Sequence, residues 1–89
     1  MPKNSVFIEK KAQRQLEKLP DKVQARINSA IGILQEEGLS RTLDIKKLRG
    51  LGNSYRIRVG KYRVLFELSE GDLIVVYAIL PRETAYRKT

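Results

Sequence analysis

The segment from residue 55 to residue 68 restricts the possible folds of this chain more than any other part. Apolar and polar residues alternate in YRIRV (55–59), and the mostly apolar segment YRVLFEL (62–68) follows, with Gly60 and Lys61 between them. Such alternation is typical of half-buried strands, and a two-residue connection that begins with glycine is typical of a tight hairpin turn. The chain is therefore predicted to contain an antiparallel β-hairpin.

The two-residue turn also predicts the pairing of the hairpin. Val59 faces Tyr62 across the turn, so Arg58 faces Arg63. Facing residues share one side of a sheet. The apolar face is then formed by Ile57, Val59, Tyr62, Val64, Phe66 and Leu68, and the opposite face carries Arg56, Arg58 and Arg63. Like charges directly opposite each other destabilise a sheet, so these arginines suggest a phosphate-binding face rather than a merely solvated one.

A third strand is predicted to follow the hairpin. Residues 73–80 are apolar at nearly every position, which is typical of a strand covered on both faces. With residues 70–71 as a two-residue turn, Arg63 is expected opposite Ala78. Arg82 then projects on the same side as Arg63.

Helical periodicity dominates the first half, after a short stretch at 5–9 that could form a strand. Two sets of apolar residues recur at helical spacing: Ala12, Leu16 and Leu19, then Val23, Ile27, Ala30, Ile31 and Leu34. Pro20 is expected to end the first helix, and Asp21 to cap the second with Gln24 three residues on. Gly38 stands where a helix C-terminal glycine is expected. Residues 39–52 are interpreted as a basic connector, and residues 1–89 as one domain.

Composition excludes several kinds of chemistry. The chain has no His and no Cys, so it has no imidazole acid or base, no thiolate nucleophile and no Cys-type zinc site. We expect no cofactor and no metal, and any catalysis would use Lys, Arg, Tyr or carboxylates. The longest apolar run, at 73–80, is far below the ~20 residues of a membrane helix, so a cytoplasmic protein without membrane contact is expected.

The charge balance favours a polyanionic partner. The 89 residues carry 18 Lys+Arg against 10 Asp+Glu, a formal charge of +8. Residues 39–89 alone hold eleven basic residues against five acidic ones. An excess of this kind favours encounter with nucleic acid or with an acidic protein.

The order of these elements and two motifs resemble a known family. A helical hairpin is followed by KKLRGLGNSYRIRVGKYRVLFEL and then by a hydrophobic strand ending in LPRETAY. This arrangement, which covers nearly the whole chain, resembles the RelE/ParE toxin superfamily, and its RelE branch in particular. The resemblance implies an α+β fold in which an N-terminal strand and a helical hairpin pack on a curved antiparallel sheet.

The resemblance also implies an activity and partners. It implies the toxin of a type II toxin–antitoxin system, an endoribonuclease that cleaves messenger RNA in the ribosomal A site and inhibits translation. The implied partners are the ribosome and its mRNA, a cognate RelB-like antitoxin, and operator DNA only through that antitoxin. Transferred to this sequence, the catalytic positions of the family are Arg56, Arg58, Arg63, Arg82 and Tyr86, and the RNA-binding positions are Lys46, Lys47, Arg49, Lys61 and Arg87.

The sequence leaves open the identity of the general base and the choice among three functions. Arginine remains protonated and cannot serve as a general base, so the candidate bases are Lys46, Lys47, Glu67 and Glu83, besides the ribosome and the phosphate itself. The function also has two alternatives from other classes: a ParE-like inhibitor of DNA gyrase without catalysis, and a small nucleic-acid-binding module without chemistry.

Overall fold

The computed structural model describes residues 4–82 and shows helices on one face of a sheet. Its elements are β1 (Ser5–Ile8), α1 (Lys10–Glu17), α2 (Asp21–Glu37), β2 (Ile45–Lys47), β3 (Ser54–Val59), β4 (Tyr62–Ser69) and β5 (Leu73–Pro81). The five strands lie in the order β1-β5-β4-β3-β2. All neighbours are antiparallel except β1 and β5, which are parallel. The predicted α+β fold, with an N-terminal strand and a helical hairpin packed on the sheet, is confirmed.

The core lies between the helices and the apolar face of the hairpin. Helix α1 packs against β5, and α2 packs against β3 and β1. The largest fully buried side chains are Phe66, Ile27, Leu34, Ile57, Ile74, Val64 and Val76. Burying a side chain of this size contributes about 1.5–3 kcal/mol, so packing of the two helical stripes on the sheet is the main source of stability.

The helical hairpin is confirmed, but the start of α2 differs from the prediction. Asp21 is the first helical residue rather than the cap, because the extended residue before the helix is Pro20, with φ −56° and ψ 149°. The Gln24 amide donates to the Leu19 carbonyl oxygen at 2.8 Å and so does not close a capping box. Gly38 ends the helix with a φ of 71°. Within the described residues, neither helix is long and apolar enough to span a membrane.

The β3–β4 hairpin has the predicted register. Val59 faces Tyr62, and Arg58 faces Arg63. Gly60 has a φ of 58°, a value that favours glycine at the first position of a two-residue turn. Four residues of the apolar face are buried, Tyr62 and Leu68 are half-buried, and the three arginines of the two strands lie on the other side.

The β4–β5 connection differs from the prediction in two places. Its turn has three residues, so Ser69 pairs with Leu73, and a bulge at residue 77 shifts the register again. Arg63 therefore faces Leu80 instead of Ala78. The longer turn and the bulge each shift the β4–β5 register by one residue. Because side chains alternate between the two faces, the two shifts together return the residues after the bulge to the predicted side of the sheet. The predicted placement of Arg82 on the arginine side thus survives a wrong register.

The connector contains a short strand that the sequence analysis missed. β2 pairs with β3, setting Lys46 opposite Arg56 and Lys47 opposite Tyr55. Three residues are too few to display alternation. β2 forms one edge of the sheet, and its two lysines disfavour pairing with another chain.

Candidate nucleic-acid interface

A pocket of about 540 Å³ opens where the β3–β4 turn meets the end of β5. It is lined by Arg58, Gly60, Lys61, Tyr62, Arg63, Pro81 and Arg82. The Arg82 backbone N–H donates to the Lys61 carbonyl oxygen at 2.8 Å and joins the two chain segments. Four of the lining residues are cationic and none is acidic, so the pocket favours an anion. We refer to it as the arginine pocket.

Arg63 is the most enclosed cation of the arginine pocket. The residue is only 2% exposed, although the sequence analysis had placed it on an open face. Its Nη1 atom donates to the carbonyl oxygens of Gly60 at 3.2 Å and Tyr62 at 3.0 Å. These bonds hold the guanidinium in one orientation against the hairpin turn. Arg63 is therefore a fixed positive charge in the pocket wall.

Arg58 and Arg82 supply the exposed charge of the arginine pocket. Both residues are exposed and line the pocket together with Arg63. Arg58 lies directly across the strand pair from Arg63, a like-charge arrangement that costs stability. An anion bound between the two guanidinium groups would reduce this repulsion.

Arg56 shares this face of the sheet but does not line the arginine pocket. Its Nη1 atom donates to the Asp44 carbonyl oxygen at 2.9 Å and to Asp44 Oδ1 at 3.2 Å. The Arg56 side chain is 13% exposed and that of Asp44 is 56% exposed. The Arg58 backbone N–H also donates to the Asp44 carbonyl oxygen. Arg56 thus attaches the connector to β3, next to the pocket.

The predicted RNA-binding residues are distributed over several surfaces. Lys61 lines the arginine pocket. Lys46 shares the arginine face because it pairs with Arg56, whereas Lys47 shares the opposite face with Tyr55. Arg49 is exposed in the loop after β2. Three further predicted residues lie outside the described residues: Glu83, Tyr86 and Arg87.

The register narrows the candidate bases among the described residues. Glu67 pairs with Ser54. It lies four residues along β4 from Arg63, so the two side chains are on the same face of the sheet, the arginine face. Lys46 lies on that face as well, as its pairing shows. Lys47 is on the other face and is the least suited to act at the pocket.

Arg26 is a cation beside the pocket that could not be predicted from the sequence. A Cβ atom on Gly60 would lie 3.2 Å from Nη1 of Arg26, so the Arg26 guanidinium from α2 lies against the hairpin turn. Arg26 gave no signal in the sequence, because it is an exposed helix residue far from the turn along the chain. Gly60 is thus restricted twice, by its positive φ and by this close approach.

The arrangement suits the stabilisation of charge on a phosphate. Guanidinium groups donate planar pairs of hydrogen bonds that match phosphate oxygens. A fixed cation such as Arg63 needs no reorganisation when negative charge develops nearby. The described residues of the arginine pocket offer no carboxylate and no neutral base, so they are better suited to hold charge than to move protons.

Comparison with known proteins identifies the family of this chain. The family described as "ParE toxin of type II toxin-antitoxin system, parDE" matches residues 6–86. Toxin RelE3 of Methanocaldococcus jannaschii is 36% identical over 83 residues, which cover 91% of this chain and 93% of that protein. Putative toxin RelE1 of the same organism is 32% identical over 96% of this chain and 97% of that protein.

Solved structures show the same fold. The RelB–RelE antitoxin–toxin complex from Methanococcus jannaschii contains a chain that is 35% identical with a TM-score of 0.79, over 92% of this chain and 96% of that chain. The archaeal RelE–RelB complex from Pyrococcus horikoshii OT3 has a chain that is 31% identical with a TM-score of 0.77, over 89% and 94% of the two chains. The match spans the sheet and the helical hairpin together. This chain belongs to the RelE/ParE family of toxins from type II toxin–antitoxin systems.

Proposed function

We propose that residues 1–89 form a single RelE-like toxin domain, a ribosome-dependent endoribonuclease that cleaves messenger RNA in the A site and inhibits translation. The observation that carries this proposal is the arginine pocket, in which Arg58, Arg63 and Arg82 line one cavity with Lys61. The identity of 36% to Toxin RelE3 supports the RelE branch. A non-catalytic toxin would have no need for a fixed, buried guanidinium beside exposed ones.

The proposed step is an internal transesterification of the RNA. The ribose 2′-oxygen attacks the adjacent phosphorus and forms a new P–O bond, while the bond from phosphorus to the 5′-oxygen of the next nucleotide breaks. The 2′-hydroxyl proton leaves to a base, and a proton is delivered to the departing 5′-oxygen. The products are a 2′,3′-cyclic phosphate and a 5′-hydroxyl. The nucleophile belongs to the RNA, so the step as written uses no metal or cofactor.

The arginines have distinct roles in this step. Arg63 and Arg58 hold the phosphate as its negative charge increases, and Arg82 contacts the leaving side. Losing one donor of this kind costs about 10²–10³ in rate. Arg56 attaches the connector to β3 next to the pocket through its bonds to Asp44. Tyr86 would stack on the nucleotide, and Arg87 with the basic residues of the connector would follow the RNA backbone.

The base is a residue of the arginine face, a group on the ribosome or the phosphate itself. Lys46 and Glu67 share that face, as their pairings show. This chain has no histidine, so it supplies no imidazole as the base. An enzyme with electrostatic groups and a weak base depends strongly on a substrate that is already aligned, which is consistent with action on ribosome-bound RNA.

A RelB-like antitoxin is the inferred protein partner. The two archaeal structures are complexes of a RelE toxin with RelB. The formal charge of +8 suits a partner that is acidic in part. Operator DNA would be reached only through this antitoxin, and the protein would act in the cytoplasm, where ribosomes translate.

Gyrase inhibition is the second candidate, since the matching family is described by its ParE member. A non-catalytic binding module for RNA is the third. The two toxin candidates share a fold and differ in target, so the target must be assayed directly.

Purified protein added to ribosomes programmed with a defined mRNA is expected to produce breaks within the A-site codon, read by primer extension. The same RNA without ribosomes should remain intact under these conditions, because the proposed site needs an aligned phosphate. Gyrase supercoiling is measured in parallel and is expected to be unaffected. Inhibited supercoiling with intact mRNA would establish the gyrase inhibitor, and RNA binding without cleavage or toxicity would establish the binding module.

A further inference from the structure

The end of β5 has a strand neighbour on only one side. β1 pairs with Leu73–Val76 and no further, whereas β4 pairs with β5 as far as Pro81. The last hydrogen bond from the β1 side joins the Glu9 N–H to the Val76 carbonyl oxygen at 2.9 Å. Beyond that point, the β5 residues that lead to Arg82 continue along β4 without β1.

A helix side chain continues the hydrogen bonding where β1 stops. The Gln15 side-chain oxygen, on α1, accepts the Ile79 backbone N–H at 2.8 Å. Ile79 is 2% exposed, so water does not readily replace this acceptor, and an N–H buried without one is strongly disfavoured. Gln15 therefore performs at Ile79 the role that a neighbouring strand performs elsewhere in the sheet.

This bond lies between two features that determine where Arg82 is placed. On its N-terminal side, the bulge at Tyr77 shifts the register against β4 and bends the strand. On its C-terminal side, the Arg82 N–H donates to the Lys61 carbonyl oxygen at 2.8 Å. Any slip of the segment between these points would move Arg82 relative to Arg63.

We propose that Gln15 is a positioning residue that fixes the end of β5 and thereby holds Arg82 at the arginine pocket. Its effect on cleavage rests on the proposed function, but its effect on the backbone does not. A glutamine on the helical hairpin would thus be coupled to the arginine pocket, although it lies on the opposite face of the sheet.

The backbone effect is tested by amide hydrogen exchange in ¹⁵N-labelled protein. Gln15→Leu removes the acceptor and retains similar volume and helix propensity. We expect the Ile79 and Arg82 amides to lose protection by about tenfold or more relative to the Ile57 amide of β3. Gln15→Glu, which keeps an acceptor oxygen, should restore protection. Gln13→Leu is the matched control, because the Gln13 amide donates to exposed Glu17.

Two outcomes would overturn the proposal. Unchanged protection at both amides in Gln15→Leu would show that the bond to Gln15 does not stabilise the end of β5. Loss of protection at Ile79 alone would show that the position of Arg82 does not depend on Gln15. Gln15→Asn, which remains polar but is one methylene too short to reach, provides the same comparison if Gln15→Leu folds poorly. These readings need no enzymatic activity, so they remain decisive if the protein cleaves no RNA.

The functional effect is tested by a double-mutant cycle on programmed ribosomes. Gln15→Leu is expected to lower kcat about tenfold with little change in KM, and Gln15→Glu to recover most of it. In the Arg82→Ala background, Gln15→Leu should have no further effect, because both changes remove the same interaction. Independent, multiplicative effects of the two substitutions would contradict a role through Arg82.

Discussion

Arg58→Ala is expected to slow cleavage of ribosome-bound mRNA by about 10²–10³ while the protein folds as the wild type does. Arg58 is exposed, so truncating its side chain leaves the core intact. It lies opposite Arg63, and removing one of two facing like charges should leave stability unchanged or raise it by a few tenths of a kcal/mol. A loss of rate without a loss of stability is the mark of a residue that acts on the substrate.

The rate is measured as single-turnover cleavage at saturating protein, and stability as urea unfolding. Arg14→Ala is the control, since Arg14 is an exposed arginine on α1, which packs against the apolar face of the sheet. It makes the same change in net charge on the other side of the molecule. Equal rates for Arg14→Ala and Arg58→Ala would show that charge matters only in total, which would contradict the site.

Phe66→Ala is expected to lower the free energy of unfolding by about 3–5 kcal/mol. Phe66 is completely buried, and its ring stacks on Tyr55 with centroids 5.5 Å apart. It also lies next to the register shift between β4 and β5, where it faces Val76. Domains of this size have a total stability of roughly 5–15 kcal/mol, so the substitution should remove a large fraction of the free energy of unfolding.

Phe7→Ala is the matched control for this measurement. Phe7 is 57% exposed on the edge strand β1, so the same substitution should cost less than about 1 kcal/mol. Urea unfolding monitored by circular dichroism compares the two variants. Similar losses in both would contradict the proposed location of the core.

The hairpin could be predicted from sequence because its determinants are local. Gly60 and Lys61 set the turn, and the turn sets every pair from Val59–Tyr62 onward. The β4–β5 register could not be predicted in the same way. β5 packs against β1, β4 and α1 and is apolar on both faces. Its sequence therefore shows no alternation from which the three-residue turn or the bulge could be predicted.

For the candidate site, sequence indicated which side each arginine occupies but not how deeply it is buried. The pleat assigns Arg58 and Arg63 to one face, and the structure confirms that face. Arg63 is buried and donates to two carbonyl oxygens at the turn, and Arg56 donates to Asp44 in the connector. Such partners are long-range or depend on side-chain conformation, and residue spacing carries no information about them.

Arg26 and Gln15 are helix residues whose contacts with the sheet could not be predicted from the sequence either. Each reaches the sheet from a helix position that periodicity marks as polar surface, and each contacts a residue remote in sequence, Gly60 and Ile79 respectively. The structural role of a polar helix residue of this kind becomes visible only when the helix is docked on the sheet.

The chemistry of the RNA ends produced on programmed ribosomes tests the proposed cleavage step directly. Cleavage by the arginine pocket with the RNA's own 2′-hydroxyl predicts a 5′-hydroxyl, which polynucleotide kinase labels without prior phosphatase treatment, and a 2′,3′-cyclic phosphate on the other fragment. Arg58→Ala should produce the same ends about 10²–10³ more slowly. Fragments with a 5′-phosphate and a 3′-hydroxyl, or RNA that stays intact, would contradict cleavage by the 2′-hydroxyl at this pocket.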